Sequence, residues 1–238
     1  MPSLTYHFLT QLQENFRDFS IFVESGTFVG DTIFSMENLF KKLYTIEINE
    51  ELYSQTKSKY TGNKINFLFG DSSSEMKNIL DECDDKVIFF LDAHNSGGNT
   101  GNSKITTLYT PLKKEIEDIN SFCKQECLII VDDCRDLGTK NNGNWEDITE
   151  SIILNIVKER LINYYFLDCA QFKNDRMILH LKDDQENLRK VESIRNLVET
   201  HSQYVNYPIS ILVQKTKETE VEEEEEGEEG DEVEDKKE

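Results

Sequence analysis

The chain predicts an α/β fold: a doubly wound, mostly parallel seven-stranded sheet, helices on both faces, and an antiparallel C-terminal hairpin. Three observations point there. Short apolar runs alternate with stretches of helical periodicity. Four of the runs are continuous rather than alternating, as strands buried on both faces read. Each of the first five strands, SIFVE, LYTIE, NFLFG, VIFFLD and LIIVDD, ends on or beside an acid: Glu24, Glu47, Asp71, Asp92, and Asp132 with Asp133. Ligands of open α/β sheets bind outside the carboxyl ends of the strands, so these carboxylates are expected to converge on one site.

The elements follow in order. Leu4, Phe8, Leu9, Leu12 and Phe16 sit at helical spacing and predict an amphipathic lead-in over residues 4–17, within an N-terminal segment 1–18. Strand Phe19–Glu24 leads through SGTFVGDT into a helix reaching about Phe40. Strand Leu43–Ile48 precedes a helix from Asn49 that stops near Thr61-Gly62-Asn63. Strand Ile65–Phe69, helix Ser72–Glu82 and strand Val87–Asp92 come next. After the polar loop HNSGGNTGNSK, a helix covers about Leu108–Cys123 and a strand Cys127–Asp132. A second polar loop leads to a helix Trp145–Lys158. Strands Ile162–Asp168 and Arg176–Leu181 are joined by CAQFKND, too short for a helical crossover, so they are antiparallel. A helix Asp184–Thr200 and an apolar segment Tyr207–Val213 close a domain over 19–214.

Charge divides the chain. Of the net −21, residues 218–238 carry −12, from 14 acids and two lysines, leaving −9 for the other 217 residues. This tail, 215–238, has too little apolar content to offset its ordering entropy and is expected to be disordered, a solubilising segment or a docking arm for a basic partner. The body lacks a Lys/Arg-rich patch, which argues against a nucleic-acid ligand. No apolar run approaches the ~20 residues of a membrane span. The N-terminus lacks the features of a secretory signal. Five scattered cysteines without a C-x-x-C pair read as reduced thiols of a cytoplasmic protein. Cys123 and Cys127 would need two more ligands to hold zinc.

VESGTFVGDT is a strand–turn–helix unit in which Gly26 and Gly30 allow close ligand approach at a helix N-terminus. Glu47, about 20 residues on, is placed to accept ribose hydroxyls. So many carboxylates would repel a pyrophosphate and attract a cation, favouring S-adenosylmethionine, a sulfonium and ammonium with no phosphate, over NAD. Asp71 fits either an adenine amine or the N-terminus of the following helix.

In this order and spacing, ESGTFVGDT, YTIEIN, FGDSS, FFLDAHNSGG and IIVDDCRD resemble a class I S-adenosylmethionine-dependent methyltransferase with its Rossmann-like fold, over roughly Phe19–Leu181. Phe28 stands where the motif E/D-x-G-x-G-x-G has its middle glycine. The resemblance implies cofactor binding by Glu24, Gly26, Thr27, Gly30, Glu47, Asp71, Ser72 and Asp92. Asp92 with Asp132 and Asp133 is similar to the metal triad of catechol-type and macrocin-type O-methyltransferases, implying Mg²⁺ and a hydroxyl acceptor, sugar-like by that resemblance. Physically, three such anions at adjacent strand ends need protons or a cation. His94 replaces an acid at the D-x-D position and, with Asp92, is the candidate catalytic residue. Asn95–Lys104 is a candidate lid, and Arg135 either a substrate contact or an ion pair with Asp136 or Glu146. A homodimer is compatible with all of this. The alternatives are an Asp-rich metal-dependent phosphohydrolase, with Lys104 and Arg135 as the only nearby cations, and an inactive methyltransferase-like module working through its tail.

Overall fold

The computed structural model describes residues 4–184 except 96, 98, 99, 101–104, 107, 108 and 141–143. The chain divides into units Met1–Arg189 and Lys190–Glu238. The expected helix from Asp184, the segment Tyr207–Val213, the boundary at 214 and the acidic tail lie outside the described residues, as does most of the candidate lid.

Seven strands form one sheet: β1 Ile21–Ser25, β2 Lys42–Glu47, β3 Ile65–Phe69, β4 Val87–Leu91, β5 Cys127–Val131, β6 Leu161–Leu167 and β7 Arg176–Leu181. Their order is β3-β2-β1-β4-β5-β7-β6. The first five pair in parallel, and β7 runs antiparallel to both β5 and β6. This is the doubly wound sheet with a terminal hairpin that the hydrophobic pattern predicts.

The helices are α1 Tyr6–Leu9, α2 Asp31–Met36, α3 Glu50–Ser58, α4 Ser72–Leu80, α5 Leu112–Phe122 and α6 Glu150–Val157. Strand alternation sends Ile21, Val23, Phe89 and Ile129 to one face, against Met76, Ile116 and Ile153 of α4, α5 and α6. Phe22, Ile88, Phe90 and Ile130 go to the other, against Phe8, Leu9, Ile33 and Met36. Full burial of each large apolar side chain stabilises the fold by about 1.5–3 kcal/mol relative to exposure. Double coverage is why the central strands read as unbroken apolar runs.

Helix starts follow local chemistry. Asn49 Oδ1 accepts from the amides of Glu51 and Leu52, both at 3.0 Å, and starts α3 where the sequence places it. The expected helix from Trp145 instead begins at Glu150, because Thr149 is extended and its hydroxyl caps the amide of Ile152 at 3.3 Å. The lead-in also differs: α1 has four residues and a 3₁₀ turn covers Phe16–Asp18. Thr10 turns its hydroxyl onto the His7 carbonyl at 2.7 Å, and Asn15 caps the 3₁₀ turn, so both polar side chains compete with a continuous helix. Leu4, Phe8, Leu9, Leu12 and Phe16 are nevertheless all buried.

β1 has β2 on one side and β4 on the other. The winding direction reverses between β1 and β4, the place at the carboxyl edge where ligands of such sheets bind.

Candidate active site

The loop after β1 is held against both neighbouring strands. The amides of Gly26 and Thr27 donate to the Ile46 carbonyl at 3.0 and 3.1 Å. Gly26 has φ +87°, and a Cβ there would lie 2.7 Å from the carbonyl oxygen of Asp92. Only glycine lets this turn touch the end of β4. Phe28, at the motif's middle-glycine position, keeps a left-handed backbone at φ 50°. The substitution changes the side chain and not the turn. Gly30, φ +90°, is the N-cap of α2.

The carboxylates from the cofactor set occupy distinct environments. Glu24 is buried and accepts from the Thr45 hydroxyl at 2.7 Å, which is also 2.6 Å from that of Thr27. Burial raises Glu24 well above the usual carboxylate range, and the charges of Asp92 and Glu47 add to this. Glu47 accepts from the amides of Asn49 and Phe28, both at 2.8 Å, and so ties the ends of β1 and β2 together. Burial raises it too, against the pull of those amides. Asp71 caps α4 by accepting from the Ser73 amide at 3.0 Å and its hydroxyl at 2.8 Å, and Ser72 is buried beside it. The helix-capping role of Asp71 is therefore present in the structure, and its other carboxylate oxygen makes no hydrogen bond to any described residue.

At the ends of β4 and β5 the structure assembles Asp92, His94 and Asp133, whose ligand-capable atoms all lie within 4.8 Å of one another. His94 Nδ1 is 3.2 Å from Asp133 Oδ2 and 3.6 Å from Asp92 Oδ1. Its ring meets Trp145 edge-on, 5.8 Å between centroids. Burial pushes Asp92 up to about 6, aided by the Asp132 charge. Burial alone would lower His94, but the nearby Asp92 and Asp133 outweigh it and hold the imidazole above its ordinary range. Burial and the Asp132 charge raise Asp133.

Asp132 stands apart from this group. Both its oxygens are taken by Arg176, through Nε at 3.0 Å and Nη2 at 3.1 Å, in a buried bidentate pair. The group within that distance is therefore Asp92, His94 and Asp133, and Asp132 of the expected set is paired with an arginine on β7. Asp132 does come together with Asp133 and Asp175, a second group within the same limit. Arg135 pairs with Asp133 at 2.6 Å and with Asp175, and lies over the Phe172 ring at 4.4 Å. Of its expected partners, Glu146 pairs instead with Lys140 at 3.0 Å. Arg135 is accordingly committed within the protein.

Buried oxygens without a hydrogen-bond partner among the described residues are concentrated here: Asp92 Oδ1, Asp133 Oδ2, Ser25 Oγ and both carboxylate oxygens of Glu115. A cradle of unpaired carboxylate oxygens beside an imidazole fits a divalent cation. Two carboxylates with open positions suit an oxygen-preferring cation such as Mg²⁺ or Mn²⁺, and they leave the imidazole free.

Glu115, Arg176, Asp175 and Trp145 are site residues that sequence reasoning missed. One signal was available for Glu115: it falls on the same helical stripe as Leu112, Ile116 and Ile119, an acid where periodicity demands an apolar residue.

Comparison with known proteins adds two findings. A family model described as Hsp90 protein matches residues 187–238. A Homo sapiens sequence named for heat shock protein HSP 90-beta-3 is 34% identical over 49 residues, 21% of this chain and 8% of that protein. The chain therefore spans less than a tenth of the curated relative it matches, and no site residue lies in the matched family segment. Among solved structures, an rRNA methylase from Streptococcus thermophilus is 14% identical, with 70% of this chain and 87% of that chain covered and a TM-score of 0.40. The N-methyltransferase NodS of Bradyrhizobium japonicum WM9, in complex with S-adenosyl-L-homocysteine, is 9% identical, with 69% and 78% covered and a TM-score of 0.42. Magnesium protoporphyrin IX methyltransferase of Synechocystis PCC 6803, with bound S-adenosylmethionine, is 12% identical, with 70% and 72% covered and a TM-score of 0.43. Those three neighbours are methyltransferases.

Proposed function

We propose that the chain is an S-adenosylmethionine-dependent methyltransferase that methylates a hydroxyl on a small, sugar-like acceptor with assistance from a divalent cation. The observation that carries this reading is the contact between two half-sites. The Gly26 turn, flanked by buried Glu24 and Glu47, abuts the Asp92 carbonyl. Asp92 in turn belongs to the cluster with His94 and Asp133. That contact supports a reading in which donor turn and base lie side by side, as a transfer governed by positioning requires.

The residues divide the work. Glu24, Gly26, Thr27, Gly30, Glu47, Asp71 and Ser72 form the donor side. Asp92 and Glu47 make the surroundings of Glu24 anionic, which favours a cationic ligand over a pyrophosphate. Asp92 and Asp133 would hold the cation. When bound, the donor supplies an electrophilic methyl group and the cation lowers the hydroxyl's pKa. His94 is the base: its Nδ1 lies 3.2 Å from Asp133 Oδ2, and Nε2, which makes no hydrogen bond among the described residues, would take the proton. Neutralising Asp92 and Asp133 would let His94 fall back toward its ordinary range, where it can accept that proton.

The test is transfer of a labelled methyl group from S-adenosylmethionine to sugar, catechol and peptide acceptors, preceded by calorimetry with donor and S-adenosylhomocysteine. Failure of the folded protein to bind either nucleoside would overturn the reading. The phosphohydrolase alternative loses support from the commitment of Arg135 to Asp133 and Asp175.

A further inference from the structure

Glu115 lies on α5 with no exposed surface, and neither of its oxygens has a hydrogen-bond partner among the described residues. The hydroxyls of Ser25, at the end of β1, and Ser72, at the start of α4, are close enough to favour its charged form. Buried polar groups in native structures are nearly always paired, so a fully buried carboxyl without a hydrogen-bond partner among the described residues marks something missing. The charges that act most on Glu115 are those of Asp71 and Asp92, both negative.

Space for the missing group exists. Glu115 borders a cavity of ≈ 10 Å³ with Asp92, His94, Thr110, Asp132 and Trp145. That volume is about one water and too small for any ring. It admits a terminal nitrogen. A sulfonium has no N–H to offer, but the ligand proposed above carries two terminal nitrogens, the ammonium of its amino-acid end and the amine of its adenine.

We propose that Glu115, facing this cavity, is a donor-binding residue that accepts hydrogen bonds from a terminal N–H group of the nucleoside ligand. The proposal rests on the methyltransferase reading and deepens it. Glu115 is a binding residue here, not a base, and a ligand that fills its hydrogen-bonding capacity offsets the cost of burying a carboxyl in the middle of an apolar helix face.

The experiment is calorimetric titration of the full chain and of Glu115→Gln with S-adenosylmethionine, S-adenosylhomocysteine and 5′-methylthioadenosine, which keeps the adenine amine and lacks the ammonium. Loss of a charge-assisted hydrogen bond is expected to weaken binding by roughly tenfold or more. Weakening confined to the two amino-acid-bearing ligands assigns the ammonium; weakening of all three assigns the adenine amine. Unchanged affinity in the variant for every ligand that the unaltered chain binds overturns the subsite and shows that the cavity holds only water. If the unaltered chain binds none of the three, the methyltransferase reading itself fails, and the subsite with it. Thermal unfolding of the variant, and a parallel Glu115→Asp titration, separate lost contact from lost fold.

Discussion

Replacing Glu115 by Gln is expected to stabilise the ligand-free protein, and only above about pH 5. Burial moves this carboxyl from 4.5 to about 7. The sign follows from linkage: an acid whose pKa is raised by folding holds its proton more tightly in the native state. The native state is therefore unpenalised below the unfolded value near 4.5, and stability is lost as pH rises toward about 7. The rise is roughly 2.5 pH units, and at about 1.36 kcal/mol per unit the penalty reaches about 3 kcal/mol, an upper bound if water enters the cavity. Glutamine is neutral throughout and avoids it. Urea unfolding of both proteins in chelator, at intervals from pH 4.5 to 8, gives the stability difference directly. It should start near zero and grow by about 1–3 kcal/mol in favour of the variant. A difference that stays flat with pH, or a variant less stable than the unaltered chain at pH 8, would refute a desolvated carboxylate at this position. Combined with weaker nucleoside binding, the expected result is a residue that trades stability for function.

Three further outcomes are expected. Arg176→Met strands Asp132 without its bidentate partner and should cost about 3–5 kcal/mol in urea unfolding, most of it restored by adding Asp132→Leu; a cost under about 1 kcal/mol would remove the pair as a structural element. Asp133→Asn should weaken Mn²⁺ binding by about tenfold or more, and binding to the unaltered chain should strengthen as pH rises through about 6, where Asp92 sheds its proton; calorimetry at pH 5, 6 and 7 checks both, and pH-independent binding counts against Asp92 as a ligand. Gly26→Ala should lower stability by roughly 1–3 kcal/mol and abolish nucleoside binding, since its Cβ would press on the Asp92 carbonyl from a left-handed backbone; a thermal melt and a nucleoside titration matching the unaltered chain would show that the turn yields freely.

The sheet was readable because burial on both faces leaves a direct trace: the unbroken runs Val87–Leu91 and Cys127–Val131 can hardly be anything but central strands. The acids at strand ends were readable for the same reason, since strand direction alone carries Glu24, Glu47 and Asp92 to one edge. Partnership was not readable. The pairing of Asp132 depends on Arg176, 44 residues further along the chain and brought in because β7 lies between β5 and β6. Periodicity gives no antiparallel register. Glu115 shows the opposite failure: its position on an apolar stripe was visible, but an acid there reads as noise until the orphaned oxygens around it are seen. In the lead-in, apolar spacing correctly marked the buried side chains and wrongly implied one helix, because Thr10 and Asn15 bond the backbone locally.

Asp133 has φ 57°, the left-handed region that asparagine, aspartate and glycine enter most readily. Backbone and charge therefore impose separate demands on one residue. Glutamate would preserve the negative charge but resist the conformation; asparagine would adopt the conformation but surrender the charge. Aspartate alone meets both, so any drift at this position exchanges either the fold of the β5 corner or the charge that the proposed cation site needs. Among homologous chains, asparagine or glycine at this corner would keep the architecture and lack that charge.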